Sequence, residues 1–258
     1  GGTNSHLWQE SVQREQWYGR AKAYWEAAAA TNDGVMSSFG LIHDRDVADS
    51  HRFLTAGEHP LWPPPILRPG SRALDIGAGI GRVSGALLLN LCAEVDLVDG
   101  SAAYLEQARA SLCGEAQSPL PTADRVNFIC SDLQHFVPSA SYDIIWIQWT
   151  TMYLTDEDLR RLLSDCQRAL TPDGLIVIKD NVIDVLKGPK GLVDGRYLVD
   201  EDDASVSRTR DHLVDLVREA GLSVVGSATA DLESDELDYC LYRNGWDGMH
   251  PVAMLALR

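Results

Sequence analysis

Between a short apolar run and a stretch of helical spacing lies Leu74-Asp75-Ile76-Gly77-Ala78-Gly79-Ile80-Gly81-Arg82. Glycine-rich chain in that place is where doubly wound proteins set a nucleotide. The spacing selects the ligand. A dinucleotide loop reads G-x-G-x-x-G so that pyrophosphate can approach the backbone, whereas position 82 is Arg and the pattern is G-x-G-x-G. The G-K-S/T of a Walker loop is absent from the sequence. The next apolar run, EVDLVD, ends in Asp99, 22 residues beyond Gly77, where a carboxylate can accept two ribose hydroxyls. A ribose acid beside a loop without a pyrophosphate pattern points to S-adenosylmethionine. Arg82 then has two readings, a bidentate partner for the carboxylate of the methionine moiety or a solvated helix arginine. Gly77 and Gly79 have a blander reading too, as close packing of strand against helix.

Three more positions stand where open α/β sheets bind ligands, at the carboxyl ends of strand-like runs. Gln148 and Trp149 close YDIIWIQW, and Asn181 follows IVIKD. Trp146 and Trp149 are three apart, which predicts opposite faces and one core residue; for Trp149 core packing and substrate contact are both open. Asp200-Glu201-Asp202-Asp203 reads by default as a solvated acidic turn capping the following helix.

The elements that must carry these residues alternate. Arg72–Ile76, Glu94–Asp99, Val126–Cys130, Tyr142–Gln148 and Leu175–Asp180 are strand-like without strict alternation, as expected when both faces of a parallel sheet are covered. Between them Ile80, Val83, Leu87, Leu88 and Leu91, then Ala102–Leu112, then Leu159, Leu162, Leu163, Cys166 and Leu170 recur at helical spacing. Thr155 can cap the last of these helices, and Pro172-Asp173-Gly174 turns the chain into the fifth strand. The rhythm argues a doubly wound sheet. It changes after Asn181, with a Gly- and Asp-rich loop (Lys187–Asp203), a helix bearing Leu213, Leu216, Val217 and Ala220 and stopped by Gly221, and strand-like runs at Ser223–Ala228 and Val252–Leu257. Ahead of the sheet, Trp17, Ala21, Trp25 and Ala28 form one apolar helix face, and Trp62-Pro63-Pro64-Pro65 is a rigid connector. The division expected is residues 1–70 as a helical extension and 71–258 as the α/β domain.

A charge of −16 opposes nucleic-acid binding, which draws most non-specific affinity from Lys and Arg. Five scattered cysteines without ligand spacing signal neither a disulfide framework nor a metal site and fit a reducing compartment, cytoplasm or nucleus. No apolar run reaches the roughly 18 residues needed to span a bilayer, and the start shows no targeting pattern.

Taken together, DIGAGIGR, VD at the second strand's end, IWIQW and IVIKDN resemble the eukaryotic α-N-terminal protein methyltransferases, which methylate the α-amine of proteins beginning X-Pro-Lys or X-Pro-Arg. The resemblance runs from about Tyr18 to Arg258, including AKAYWE and the closing ALR. It implies a class I S-adenosylmethionine-dependent methyltransferase, a Rossmann-like seven-stranded doubly wound sheet with an N-terminal helical extension. On this resemblance Gly77, Gly79, Arg82, Asp99, Leu133, Gln134 and Gln148 bind the cofactor. Trp25, Trp149 and Asp200 bind the peptide, and Asn181 and Asp203, with Tyr153 near the place of the family's histidine, fall at catalytic positions. Asp203 would accept the amine's proton and Asn181 orient the amine through its carbonyl. Only modest base assistance is needed, since an α-amine with pKa about 7.7–8.0 is roughly a quarter neutral near pH 7.4.

Three departures bear on the site. Tyr153 stands near the place of the family's histidine, and a tyrosine of pKa near 10 is a poor neutral-pH base. The loop between Asn181 and Asp200 is about ten residues longer than usual, which surface loops tolerate. Arg243–Gly248 looks inserted, so Tyr239, Tyr242 and His250 compete for the family's aromatic position. Two rival functions share the cofactor loop: a small-molecule methyltransferase, and a non-catalytic subunit that binds adenosylmethionine. A base-methylating enzyme fits less, because the fourth strand ends in IQW where such enzymes carry N/D-P-P-Y.

Overall fold

The five apolar runs form the parallel part of one sheet. In the computed structural model, which describes residue 8 and residues 11–55, 69–114, 123–183, 192–228 and 251–258, they are β1 (Arg72–Ile76), β2 (Glu94–Asp99), β3 (Val126–Cys130), β4 (Tyr142–Gln148) and β5 (Leu170–Ile183). They pair in the order β3-β2-β1-β4-β5. The late runs become β8 (Val224–Ala228) and β9 (Val252–Leu257). β9 lies antiparallel between β5 and β8, which completes a seven-stranded sheet with one reversed strand. A hairpin, β6 (Tyr197–Asp200) and β7 (Ser205–Thr209), branches from Val182 and Ile183 at the end of β5.

Successive strand residues point to opposite faces, so each strand feeds two cores. Leu74, Ile145, Ile147, Ile176 and Ile178 pack on Leu159, Leu162 and Leu163 of α6 (Asp156–Arg168) and on Leu213, Leu216 and Val217 of α7 (Arg210–Glu219). Ala73, Ile144, Trp146 and Val177 face Val83, Leu87 and Leu88, Leu105 and Ala108 of α5 (Ala102–Cys113), and Phe53 and Leu54 of α3 (His43–Thr55). Removing one such fully buried leucine to alanine typically costs about 2–5 kcal/mol. Thr155 accepts Asp158 N–H at 3.1 Å and caps α6, and Thr209 caps α7 in the same way through His212 N–H.

Two N-terminal helices are fastened over the carboxyl ends of the strands. α1 (Ser11–Ala27) docks through Asp158, whose carboxylate accepts Arg14, Tyr18 at 2.5 Å and the Thr155 hydroxyl, and through Trp17 Nε1, which donates to the carbonyl of Tyr153. Burying ions is costly unless their lone pairs are filled, and here they are. α2 is the single turn Asn32–Val35. α3 is fastened through Asp46.

Three expectations are corrected. β5 begins at Leu170, ahead of the Pro172 turn, and the register shift between Tyr142 and Ile144 absorbs the interruption. The chain after the glycine loop is wound as a π-helix over Ser84–Leu88 that runs on into the single turn α4 (Leu89–Leu91). Asp200–Asp203 caps no helix: it is the turn of the β6–β7 hairpin, because Asp200 pairs with Ser205. The Trp62–Pro65 connector and Tyr239, Cys240, Tyr242, Arg243–Gly248 and His250 lie outside the described residues, as does part of the long loop. Cys92, Cys113, Cys130 and Cys166 are free thiols. Among the described residues no helix is long and apolar enough to cross a membrane, and no cluster of metal-ligating type occurs.

Candidate active site

Every residue named above as a site candidate, within the described chain, lines one cavity of about 700 Å³ between the strand ends and the N-terminal helices. Tyr239, Tyr242 and His250 fall outside that comparison.

On one side is the glycine loop, whose Gly77, Gly79 and Gly81 take φ of +71°, +54° and +75°, the left-handed region that favours glycine. A Cβ on Gly77 would stand 2.2 Å from Thr150 Oγ1. The loop's donors are already used: Gly77 and Ala78 N–H both bond Val98 O, Gly79 N–H bonds Asp99 Oδ2 at 2.8 Å and Gly81 N–H bonds Ala78 O. Little backbone is left to cradle a phosphate, whereas a ligand whose ribose donates hydroxyls has an acceptor waiting. Asp99 takes one backbone N–H on each oxygen, from Gly79 and Ser101, which leaves about two of a carboxylate's four lone-pair sites. Burial raises its pKa above the usual carboxylate value. Leu133 and Gln134 sit in the turn after β3, held by Arg161 donating to the carbonyls of Leu133 and Phe136.

Arg82 pairs with Asp46 at 2.7 Å, contacts His43 Nδ1 at 3.2 Å and lies 5.3 Å from the Trp149 ring centroid. Gln148 is more constrained than its motif suggests. Its Nε2 donates to both oxygens of Asp46, and its Oε1 accepts Trp146 Nε1.

Across the cavity, Trp149 has φ of +49°, unusual for a bulky residue and common where function fixes the backbone. Its N–H bonds Lys179 O, and it packs against the buried pair Met36 and Ile42, as do Val35, Phe39 and Val252. Trp146 is the core member of the pair, fully buried. Trp25 meets Tyr153 edge-on at 5.6 Å. Tyr153 Oη donates to Asp203 Oδ2 at 3.1 Å. Burial, and then the charge of Asp203, lift the Tyr153 hydroxyl well above its ordinary value; burial also raises Asp203, with Asp200 acting in the same direction. Asp200 is exposed at the cavity's edge. Two acceptor atoms stand out: Asn181 Oδ1 and Asp203 Oδ1 are buried with no hydrogen-bond partner among the described residues. Unpaired buried acceptors are costly, and a ligand donor offsets that cost.

Three supporting residues escaped the sequence analysis. Asp180 accepts Thr151 N–H and hydroxyl and Asn181 N–H, so it fixes both the turn that leads to Tyr153 and the backbone of Asn181. Its place beside Asn181 at a strand's carboxyl end was the available signal. Lys179 and Asp46 carry none, since an acid within a helix looks like a solvated face.

Residues 13–242 match the family described as AdoMet-dependent proline di-methyltransferase. The chain is 38% identical over 231 residues to N-terminal Xaa-Pro-Lys N-methyltransferase 1 of Bos taurus, covering 86% of this chain and 92% of that one; the Homo sapiens relative is 38% identical over 225 residues, with the same coverage. A solved SAM-dependent methyltransferase of Leishmania major is 34% identical, covers 94% of this chain and 83% of its own, and superposes with a TM-score of 0.71. Phosphoethanolamine N-methyltransferase 1 of Haemonchus contortus, at 18% identity and a TM-score of 0.61 over 95% of this chain and 49% of its own, shares the fold. With a methyltransferase sheet, a glycine loop at the end of its first strand and these relatives, the chain belongs to the AdoMet-dependent proline di-methyltransferase family and is an S-adenosylmethionine-dependent protein N-terminal methyltransferase.

Proposed function

We propose that the protein methylates the α-amino group of protein N-termini beginning X-Pro-Lys or X-Pro-Arg. The observation that carries this reading is a pair of buried acceptor atoms, Asn181 Oδ1 and Asp203 Oδ1, that have no hydrogen-bond partner among the described residues and belong to residues lining the cavity that also holds the glycine loop. A neutral or charged α-amine supplies the donors they lack.

S-adenosylmethionine, when bound, supplies an electrophilic methyl group. Asp99 would accept its ribose hydroxyls, Arg82 would meet its carboxylate, and Gly77, Gly79, Leu133 and Gln134 would form the walls, with Gln148 acting through Asp46. Asn181 orients the amine. Asp203 takes up its proton, at a carboxyl whose raised pKa suits proton transfer better than an ordinary aspartate would. Tyr153 is a neutral donor that aims Asp203, since its own hydroxyl titrates far above physiological pH. Trp25 and Trp149 flank a proline ring, and Asp200 attracts the cation at position three. A net charge of −16 favours a basic peptide over nucleic acid, and five scattered cysteines without ligand spacing suit a reducing cytoplasm or nucleus.

Peptides differing only in their first three residues, incubated with labelled cofactor, test the reading. Turnover on X-Pro-Lys that vanishes when the amine is acetylated supports it; equal labelling of an acetylated peptide, or of small amines alone, overturns it.

A further inference from the structure

We propose that Asp46 is a positioning residue for Arg82 and through it sets the affinity for the amino-acid end of S-adenosylmethionine. This rests on the assignment of Arg82 to the cofactor's carboxylate.

The geometry is that of a clamp. Asp46 and Arg82 are 1% and 6% exposed at the side chain, and Arg82 Nη1 donates to Asp46 Oδ2 at 2.7 Å. The indole of Trp149 backs the guanidinium. Arginine has many rotamers to lose on binding, and a side chain already held loses fewer. Among the described residues no hydrogen bond is made by Arg82 Nε or Nη2, so the fork retains donors for a ligand carboxylate. Asp46 itself cannot swing. Gln148 Nε2 donates to both its oxygens at 3.0 and 2.9 Å, Lys179 pairs with its carboxylate, and Lys179 Nζ donates to the Asp46 carbonyl and to Ser50 Oγ, each at 2.9 Å. One carboxylate of α3 therefore joins the helix after the glycine loop, the end of β4 and β5. A plain structural ion pair would not need to meet the cavity, whereas this one ends on a residue that lines it.

Calorimetry with two probes separates positioning from folding. S-adenosylhomocysteine carries the amino-acid end, and 5′-methylthioadenosine lacks it. Asp46→Asn should raise the dissociation constant of the first about tenfold or more and leave that of the second within about twofold. Because Asp46→Asn strands two buried cations, the charge-balanced Asp46→Asn/Lys179→Met variant is measured beside it and should show the same selectivity. Equal weakening of both probes, unchanged S-adenosylhomocysteine binding, or failure of both variants to fold overturns the inference. Arg82→Leu is the control: selective loss there without loss in the Asp46 variants sinks the role of Asp46 alone, and no selective loss in Arg82→Leu sinks the assignment of Arg82.

Discussion

The hydroxyl of Tyr153 donates to Asp203 Oδ2 at 3.1 Å and so joins the turn after β4 to the β6–β7 hairpin. Two segments 50 residues apart in sequence thereby present a neutral donor and a carboxylate to the same cavity. The division of labour is testable. Asp203→Asn preserves shape and removes the acceptor of the proton, so kcat should fall about 10²-fold, the low end of general-base contributions, with little change in peptide affinity. A mutant with near-normal turnover from pH 6 to 9 would make Asp203 a binding residue.

Tyr153→Phe gives a second expectation with a definite sign. A hydrogen bond to the charged carboxylate favours that form, so its loss raises the pKa of Asp203 further. The active, deprotonated form then appears only at higher pH. The acid limb of the kcat profile should shift upward while the rate on the plateau falls only modestly. A limb that stays or moves to lower pH argues against the pairing.

At the cofactor end, Asp99→Ala should weaken S-adenosylmethionine binding by about 1.5–3 kcal/mol, the range for hydrogen bonds to a charged group. NADH should not bind, because Gly77, Ala78, Gly79 and Gly81 spend their N–H groups within the protein. Tight NADH binding in the same calorimeter would refute that account of the loop.

The candidate cofactor residues of the loop, with Asp99, were legible in sequence because the motif is local: strand, three glycines, helix and a second strand ending in an acid all fall between Arg72 and Asp99. The strand-end positions of Gln148, Trp149 and Asn181 were legible for the same reason. Asp46 was not. Its partners Arg82, Gln148 and Lys179 lie 36, 102 and 133 residues away, so only the fold brings them together. The period-two rule correctly separated Trp146 from Trp149 but not the positive φ that turns Trp149 into the cavity wall. The acidic turn was misread because a β-hairpin and a helix cap share the same residue types, and pairing between Asp200 and Ser205 decided the matter.

Stability against acid should depend on Asp156, which accepts Arg208 at 2.9 Å and approaches His212 Nε2 at 2.8 Å. Burial works to raise its pKa, but the hydrogen bond from His212 and the charge of Arg208 overcome it and hold the carboxyl at about 2. A depressed folded-state pKa contributes stability that is fully present above the unfolded value of about 3.9 and lost as pH falls through about 2. The amount is roughly 2 kcal/mol. Asp156→Asn should remove that part of the pH dependence while destabilising the fold by about 3–5 kcal/mol at neutral pH, since Arg208 is left buried without its anion. Urea midpoints of both proteins at pH 2.5, 4 and 7 measure the difference; parallel curves would show that the Asp156 pair contributes nothing to acid stability.

The acidic hairpin should act on substrates by charge. Asp200 is exposed at its edge and Asp203 half-buried, in a chain at −16, so a lysine or arginine at the third position of a peptide gains local pairing and long-range attraction. Exchanging that residue for glutamate should abolish detectable binding. Asp200→Asn should weaken an X-Pro-Lys peptide by up to about 1 kcal/mol, because an exposed pair is screened by solvent. Replacing the proline should hurt for a different reason: its fixed φ presents the amine in one direction with little entropy to lose, and its ring can pack on Trp25 or Trp149. Since exposed charges are screened over about 8–10 Å at physiological ionic strength, peptide affinity should fall as salt rises, and the slope should be shallower in Asp200→Asn. Salt-independent binding, or equal rates for lysine and glutamate at position three, would reduce the hairpin's acids to a solvated surface and direct the search to a different peptide determinant.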